Sequence, residues 1–319
     1  MFALRGVAVS FSIFILLYCI WSLIVSAGWR GLFGHSQKLS RRWAAELLFG
    51  WRISPFLVAI VITFALAVPS FLMLEPRQID ESMGAVPLVL CICGAALIGY
   101  GISRAASALR LASRAIAAWM IGAQPVSMGA PAPIFRVSQA APAMIATGIV
   151  RMGVLVSERT ESLLSSTEFQ IALDHEFAHV RHRDNLKKLV LKLLHFPAMR
   201  SLETAWLEAT EMAADDAAVS SREEALDLAA ALVKLSRLRV PEPAVELTAS
   251  LTLSSASAMQ ARIERLLAWS AEADGDRYTA RKALKSPAFV GIMATAILVV
   301  INYSYLLTSV HAATEWLVR

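Results

Sequence analysis

Hydrophobic residues in this chain fall into four long uninterrupted runs separated by polar stretches, and that spacing predicts most of its architecture. Residues 7–27, 55–74, 85–102 and 288–307 contain no Asp, Glu, Lys or Arg. Each is long enough, or nearly so, for a helix to cross a hydrocarbon core of about 30 Å. The first run exceeds the apolar part of a signal peptide and lacks a small-residue cleavage site, so it is read as a span. Between the third and fourth runs the pattern changes. Residues 105–121 mix Arg110 and Arg114 with alanine, leucine and isoleucine, the pattern of an amphipathic helix lying on the membrane or leading away from it. Residues 122–133, rich in Pro, Gly, Ala and Ser, read as a linker. The stretches 134–138 and 144–156 read as strands of a small sheet, the second interrupted by Gly148 and Gly153. Ser165-Ser166-Thr167-Glu168 fits a capping box with Ser165 or a neighbour as N-cap, and the helix it starts is expected to run on to Asp184.

Charge orients these elements. The connection 29–53 carries Arg30, Lys38, Arg41, Arg42 and Arg52 against Glu46, whereas the one after residue 74 carries Glu75, Asp80 and Glu81 against Arg77. Arg104, Arg110 and Arg114 follow the third run, and Arg277, Arg281, Lys282 and Lys285 precede the fourth. By the positive-inside rule both termini are external and the segment 103–286 is cytoplasmic. The expected division is therefore 1–102 for three spans, 103–286 for a cytoplasmic domain, and 287–319 for a fourth span with a short outer tail. A composition of 57% hydrophobic and 17% charged residues agrees with a multi-pass chain. The net charge of +5 follows from this membrane asymmetry, and no direct nucleic-acid binding is expected. Cys19, Cys91 and Cys93 all lie in apolar runs without metal-binding spacing, which argues against a structural disulfide.

Candidate chemistry lies in the cytoplasmic segment. His175-Glu176-Phe177-Ala178-His179 is an H-E-x-x-H motif. Residues i and i+4 share a helix face, so His175 and His179 can bind one metal ion, with Glu176 beside it as general base. The acidic run 201–220 holds Glu203, Glu208, Glu211, Asp215 and Asp216 without Lys or Arg. Within it, Glu211 and Asp215 share a face, and Ala213 and Ala214 allow close approach to the motif helix. Glu211 is then the third ligand, Glu208 its rival, and Asp215 a partner for the outer nitrogen of a ligand histidine. Arg181, Arg183 and Asp184 are read as an ion-pair cluster that steadies the fold. His182 and His195 are candidates for oxyanion stabilisation, with a structural role preferred for each.

His175 to Asp184, followed by Glu211-Met212-Ala213-Ala214-Asp215, resembles the membrane zinc peptidases of the BlaR/MecR antirepressor type and, more distantly, the HtpX-type quality-control peptidases. The similarity extends over about residues 134–267 and includes Arg262-Ile263-Glu264-Arg265-Leu266. It implies a mainly α multi-pass membrane protein with four transmembrane helices and an inserted α+β zincin-like (gluzincin) peptidase domain. Zn2+ would be bound by His175, His179 and Glu211. The implied activity is cleavage of a cytosolic or membrane-proximal protein, such as a transcriptional repressor, at a bacterial-type inner membrane. Residues 308–319 are too few for the penicillin-binding sensor domain of β-lactam-sensing members. A signal is therefore expected through the lipid-embedded spans, the short outer loops or a separate sensor protein. The rival expectation is a non-catalytic transducer or scaffold with a structural zinc site.

Overall fold

The computed structural model describes residues 2–35, 40–75, 84–126, 129–138, 142–238, 249–250, 256–269 and 301–318. Among the described residues three helices are long and apolar enough to cross a membrane, and they mark the chain as a membrane protein. The first is α1 (Phe2–His35). The second comprises α2 (Arg41–Ile62), a π-helical turn (Thr63–Ala67) and α3 (Val68–Leu74). The third is α4 (Ala85–Trp119). Their outward faces expose Val7, Ile24, Leu57, Phe64, Met73, Leu88 and Ile92. Lipid-facing side chains explain such a surface, which water would not tolerate.

Helix continues past the predicted spans wherever no breaker stops it. The connection 29–53 is helical in most of its described part, because Ser40 caps α2 by accepting from the Trp43 N–H. The helix expected over 105–121 is the continuation of α4 beyond the third apolar run, since no Gly or Pro interrupts the alanine-rich stretch after Ile102. Proline within the second span leaves carbonyls without their helical donors, a cost that hydrocarbon magnifies. Ser54 Oγ donates to the Trp51 carbonyl at 2.8 Å, four residues before Pro55. Tyr303 donates its hydroxyl to the Ala65 carbonyl at 2.8 Å, four residues before Pro69. Of the predicted fourth span, 288–300 lies outside the described residues. The short tail expected from residue 308 is instead part of a helix, Tyr303–Val318, which also receives a hydrogen bond from Ser70 Oγ at Leu307 O.

After α4 comes a small sheet of five short strands: β1 (Gln124–Val126), β2 (Ile134–Val137), β3 (Met144–Thr147), β4 (Gly153–Ser157) and β5 (Ala249–Ser250), in the order β1-β2-β4-β3-β5. The predicted linker 122–133 thus contains a strand, paired antiparallel to β2. The single run expected over 144–156 is a hairpin, β3 antiparallel to β4. Gly148 turns it with φ +84°, where a Cβ would stand 2.1 Å from the Arg151 carbonyl oxygen. Alternation then assigns the faces. Met144, Val154 and Val156 join the main core, while Ile145, Leu155 and Val137 pack with Trp119 and Met120 on the other side.

The remaining helices are α5 (Glu158–Leu163), α6 (Ser166–His182), α7 (Asp184–Leu193), α8 (Arg200–Ala218), α9 (Arg222–Ser236) and α10 (Ala256–Leu267). The predicted capping box is present at α6. Glu168 N–H donates to Ser165 Oγ at 3.2 Å, and Ser165 N–H to Glu168 Oε2 at 2.8 Å. Helix α8 packs on the membrane helices through one apolar cluster that joins Val25, Trp29, Ala45 and Leu48 to Leu202, Trp206 and Ala209. Beside it Arg52, only 1% exposed, reaches Glu203 at 2.8 Å and donates to the Leu194 carbonyl at 2.6 Å. Helix α8, which carries Glu211, is therefore anchored directly on the spans.

Candidate metal centre

Helix α6 places His175, Glu176 and His179 in the interior, at 0%, 0% and 3% exposure. Ile171, Ala172, Leu173, Phe177 and Ala178 flank them in the core, so the polar trio is packed inside an apolar shell. The imidazoles turn their Nε2 atoms toward each other at 3.2 Å. Glu211 on α8 completes the group. Its Oε1 lies 3.6 Å from His179 Nε2 and its Oε2 lies 3.7 Å from His175 Nε2. His175, His179 and Glu211 offer ligand atoms that all lie within 4.8 Å of one another and can hold a metal ion. Glu208, the rival to Glu211, is solvent-exposed one turn away.

The outer nitrogens decide what these atoms can bind. His179 Nδ1 lies 2.7 Å from Asp184 Oδ2. His175 Nδ1 lies 3.0 Å from Asp215 Oδ1. A carboxylate beside each Nδ1 favours the proton there, which leaves both Nε2 atoms as acceptors. Two nitrogen lone pairs and a carboxylate then converge on one point, an arrangement that a cation relieves. Atoms held at about 2.0–2.2 Å around one tetrahedral ion stand about 3.3–3.5 Å apart. The observed 3.2 Å between the two Nε2 atoms and 3.6 Å from His179 Nε2 to Glu211 Oε1 bracket that spacing.

Sequence reasoning missed two members of this network. Asp184, read from the sequence as part of a fold-steadying ion-pair cluster with Arg181 and Arg183, is instead buried against His179. The reason is local: α6 stops at His182, Arg183 adopts the left-handed region at φ 53°, and α7 starts in a new direction with Asp184. Arg181 and Arg183 remain exposed. The second is Arg262 on α10, which is 1% exposed and donates to Asp215 Oδ2 at 2.9 Å, Asp215 Oδ1 at 2.7 Å and Glu211 Oε2 at 2.9 Å. Its only sequence signal was its place in the segment that carried the resemblance.

Glu176 has an asymmetric environment. Its Oε2 accepts from the Ala146 N–H on β3 at 2.7 Å, while Oε1 is buried without a hydrogen-bond partner among the described residues. Asn185 steadies the same strand by donating to the Ala146 and Gly148 carbonyls at 3.0 and 3.2 Å. Burial pushes the Glu176 carboxyl up to about 8. Burial also raises Glu211, but Arg262 and the two histidines outweigh it and bring this carboxyl down to about 2. Asp215 is held below the usual carboxylate range in the same way, with Arg262 and His175 overcoming its burial.

His182 and His195 stand outside the group. Burial and Arg42 lower the half-buried His182. His195 faces Arg104 Nη1 at 2.6 Å and the edge of the Tyr100 ring. No protein-family model matches this chain, and no curated protein matches it either.

Proposed function

We propose that this chain is an integral-membrane, zinc-dependent endopeptidase of the BlaR/MecR antirepressor type. In this reading a zincin-like (gluzincin) domain faces the cytoplasm of a bacterial-type cell, four segments cross the inner membrane and both termini are outside. The observation that carries the activity is Glu176: a fully buried carboxyl with one oxygen oriented by a backbone N–H and the other without a hydrogen-bond partner among the described residues, next to three converging ligand atoms. A metal kept only for stability has no use for such a group.

The two-nitrogen, one-carboxylate donor set fits zinc and leaves a fourth position open. When bound, the ion supplies Lewis acidity, polarising a peptide carbonyl and acidifying water. The chain's own residues do the rest. Asp184 and Asp215 hold the imidazole protons on Nδ1, so both Nε2 atoms stay available as donors of electron pairs. Ala146 N–H fixes Glu176 Oε2 and leaves Oε1 to accept a proton from water as the water oxygen bonds to the scissile carbonyl carbon. The same carboxyl returns that proton to the amide nitrogen as the C–N bond breaks. Docking of α8 on the spans supports a cytosolic or membrane-proximal protein as substrate, a transcriptional repressor being the class that the resemblance implies.

The test compares proteomes of cells that carry the wild-type chain or Glu176→Gln. Loss of specific fragments in the variant, with zinc still bound stoichiometrically to the purified protein, is expected. Unchanged fragments with retained zinc would sink the peptidase reading in favour of a scaffold. A reporter fused near Asp227 should read as cytoplasmic, and an external reading overturns the orientation.

A further inference from the structure

We propose that Arg262 is the positioning residue of the metal centre, fixing Glu211 directly and His175 through Asp215; this rests on the metal-binding reading above. Its fork spans both carboxylates, with Nε and Nη2 on Asp215 and Nη1 on Glu211 Oε2. Asp215 Oδ1, held at 2.7 Å by Nη2, is also the oxygen 3.0 Å from His175 Nδ1. Two of the three ligands are thus aligned from one guanidinium, whereas His179 is held separately by Asp184.

Electrostatics give this fork a specific task. Glu211 and Asp215 lie one turn apart on α8, and as neighbouring anions in an apolar shell they would otherwise repel each other. A buried cation between them keeps both ionised and in place before any metal arrives. By engaging Oε2, Arg262 turns the two Glu211 oxygens into unequal groups and leaves Oε1, on the His179 side, as the free ligand atom. A planar bidentate donor can impose this orientation, but a point charge cannot. Helix α10 has an independent hold on α8, since Arg265 pairs with Asp216 and donates to the Met212 carbonyl at 3.1 Å. Removing the Arg262 fork therefore leaves the helices docked.

The test uses the full chain purified in detergent, stripped with chelator and titrated with Co2+ against a chromophoric chelator, for wild type, Arg262→Gln and Arg262→Lys. Arg262→Gln should weaken Co2+ binding by about 10- to 100-fold, as loss of an outer partner does elsewhere, and should alter the visible Co2+ absorption bands. Helicity and elution volume should stay unchanged. Arg262→Lys keeps the charge without the fork, and it should recover affinity only in part and retain altered bands. If Arg262→Gln binds Co2+ within twofold of wild type with the same spectrum, Arg262 does not position the site. Should the Gln variant fail to fold, wild-type affinity and bands in Arg262→Lys overturn the proposal just as well. Absence of Co2+ binding by the wild-type chain instead removes the underlying metal reading.

Discussion

Glu176 illustrates how one residue answers to packing, backbone and charge together. Its interior position favours the neutral form and moves its pKa from an ordinary 4.5 to about 8. For a carboxyl raised in this way, the folded state binds the proton more tightly than the unfolded chain does. That stability is fully present below about 4.5 and is lost as pH rises through about 8. Glutamine at this position keeps the shape but cannot ionise. In chelator, Glu176→Gln should melt close to wild type at pH 4.5 and several degrees above it at pH 8.5, with the gap opening between those values. Parallel melting curves across that range would exclude a buried, proton-binding Glu176. At this scale the H-E-x-x-H spacing made His175, Glu176 and His179 legible from the chain alone. Glu211 and Asp215 were readable from their helical spacing. Asp184 and Arg262 were not, because a left-handed residue redirects the first and the second arrives from a helix far along the sequence.

Among the elements, α4 and α7 meet closely at Gly101. A Cβ on Gly101 would stand 2.1 Å from the Leu193 carbonyl oxygen, which belongs to the backbone and cannot swing aside. Gly101→Ala should push α7 off α4 and disturb Asp184 at the other end of the helix. Thermal unfolding is then expected to shift down by several degrees, with weaker Co2+ binding. Gly99→Ala, which meets nothing within 4 Å, should be neutral or slightly stabilising, because alanine favours helix. Equal effects at the two positions would show that helix propensity, not contact with α7, governs Gly101. Hydropathy located the apolar parts of the three described spans but not the ends of their helices. A span prediction senses where hydrocarbon can begin, whereas a helix ends only at a cap or a breaker. For the same reason the glycine turn within 144–156 separates two strands that composition joins.

At the scale of the whole molecule, polar contacts that include Arg52 join the membrane bundle to the helices of the candidate site. Arg52 on α2 engages Glu203, which lies about 12 Å along the α8 axis from Glu211. Arg52→Met should destabilise the protein by about 1–3 kcal/mol, because it strips a charge-assisted hydrogen bond from a partly exposed Glu203 and a donor from Leu194. Limited proteolysis should then cut more readily around residues 194–200. A variant as stable and protease-resistant as wild type would mean that the apolar cluster alone holds α8 to the spans.

Local sequence determined the lipid-compatible runs, the capped motif helix and the residue types needed to bind a metal, since each depends on neighbours within a turn or two. Folding determined which groups meet: it brought α8 against α6 and Arg262 of α10 onto α8, turned Asp184 back onto His179 and set Ala146 against Glu176. These contacts join residues on separate elements, or redirect a nearby one through a single unusual φ angle. Hydrophobic periodicity records only which face of an element is buried, and it is silent on what that face is buried against.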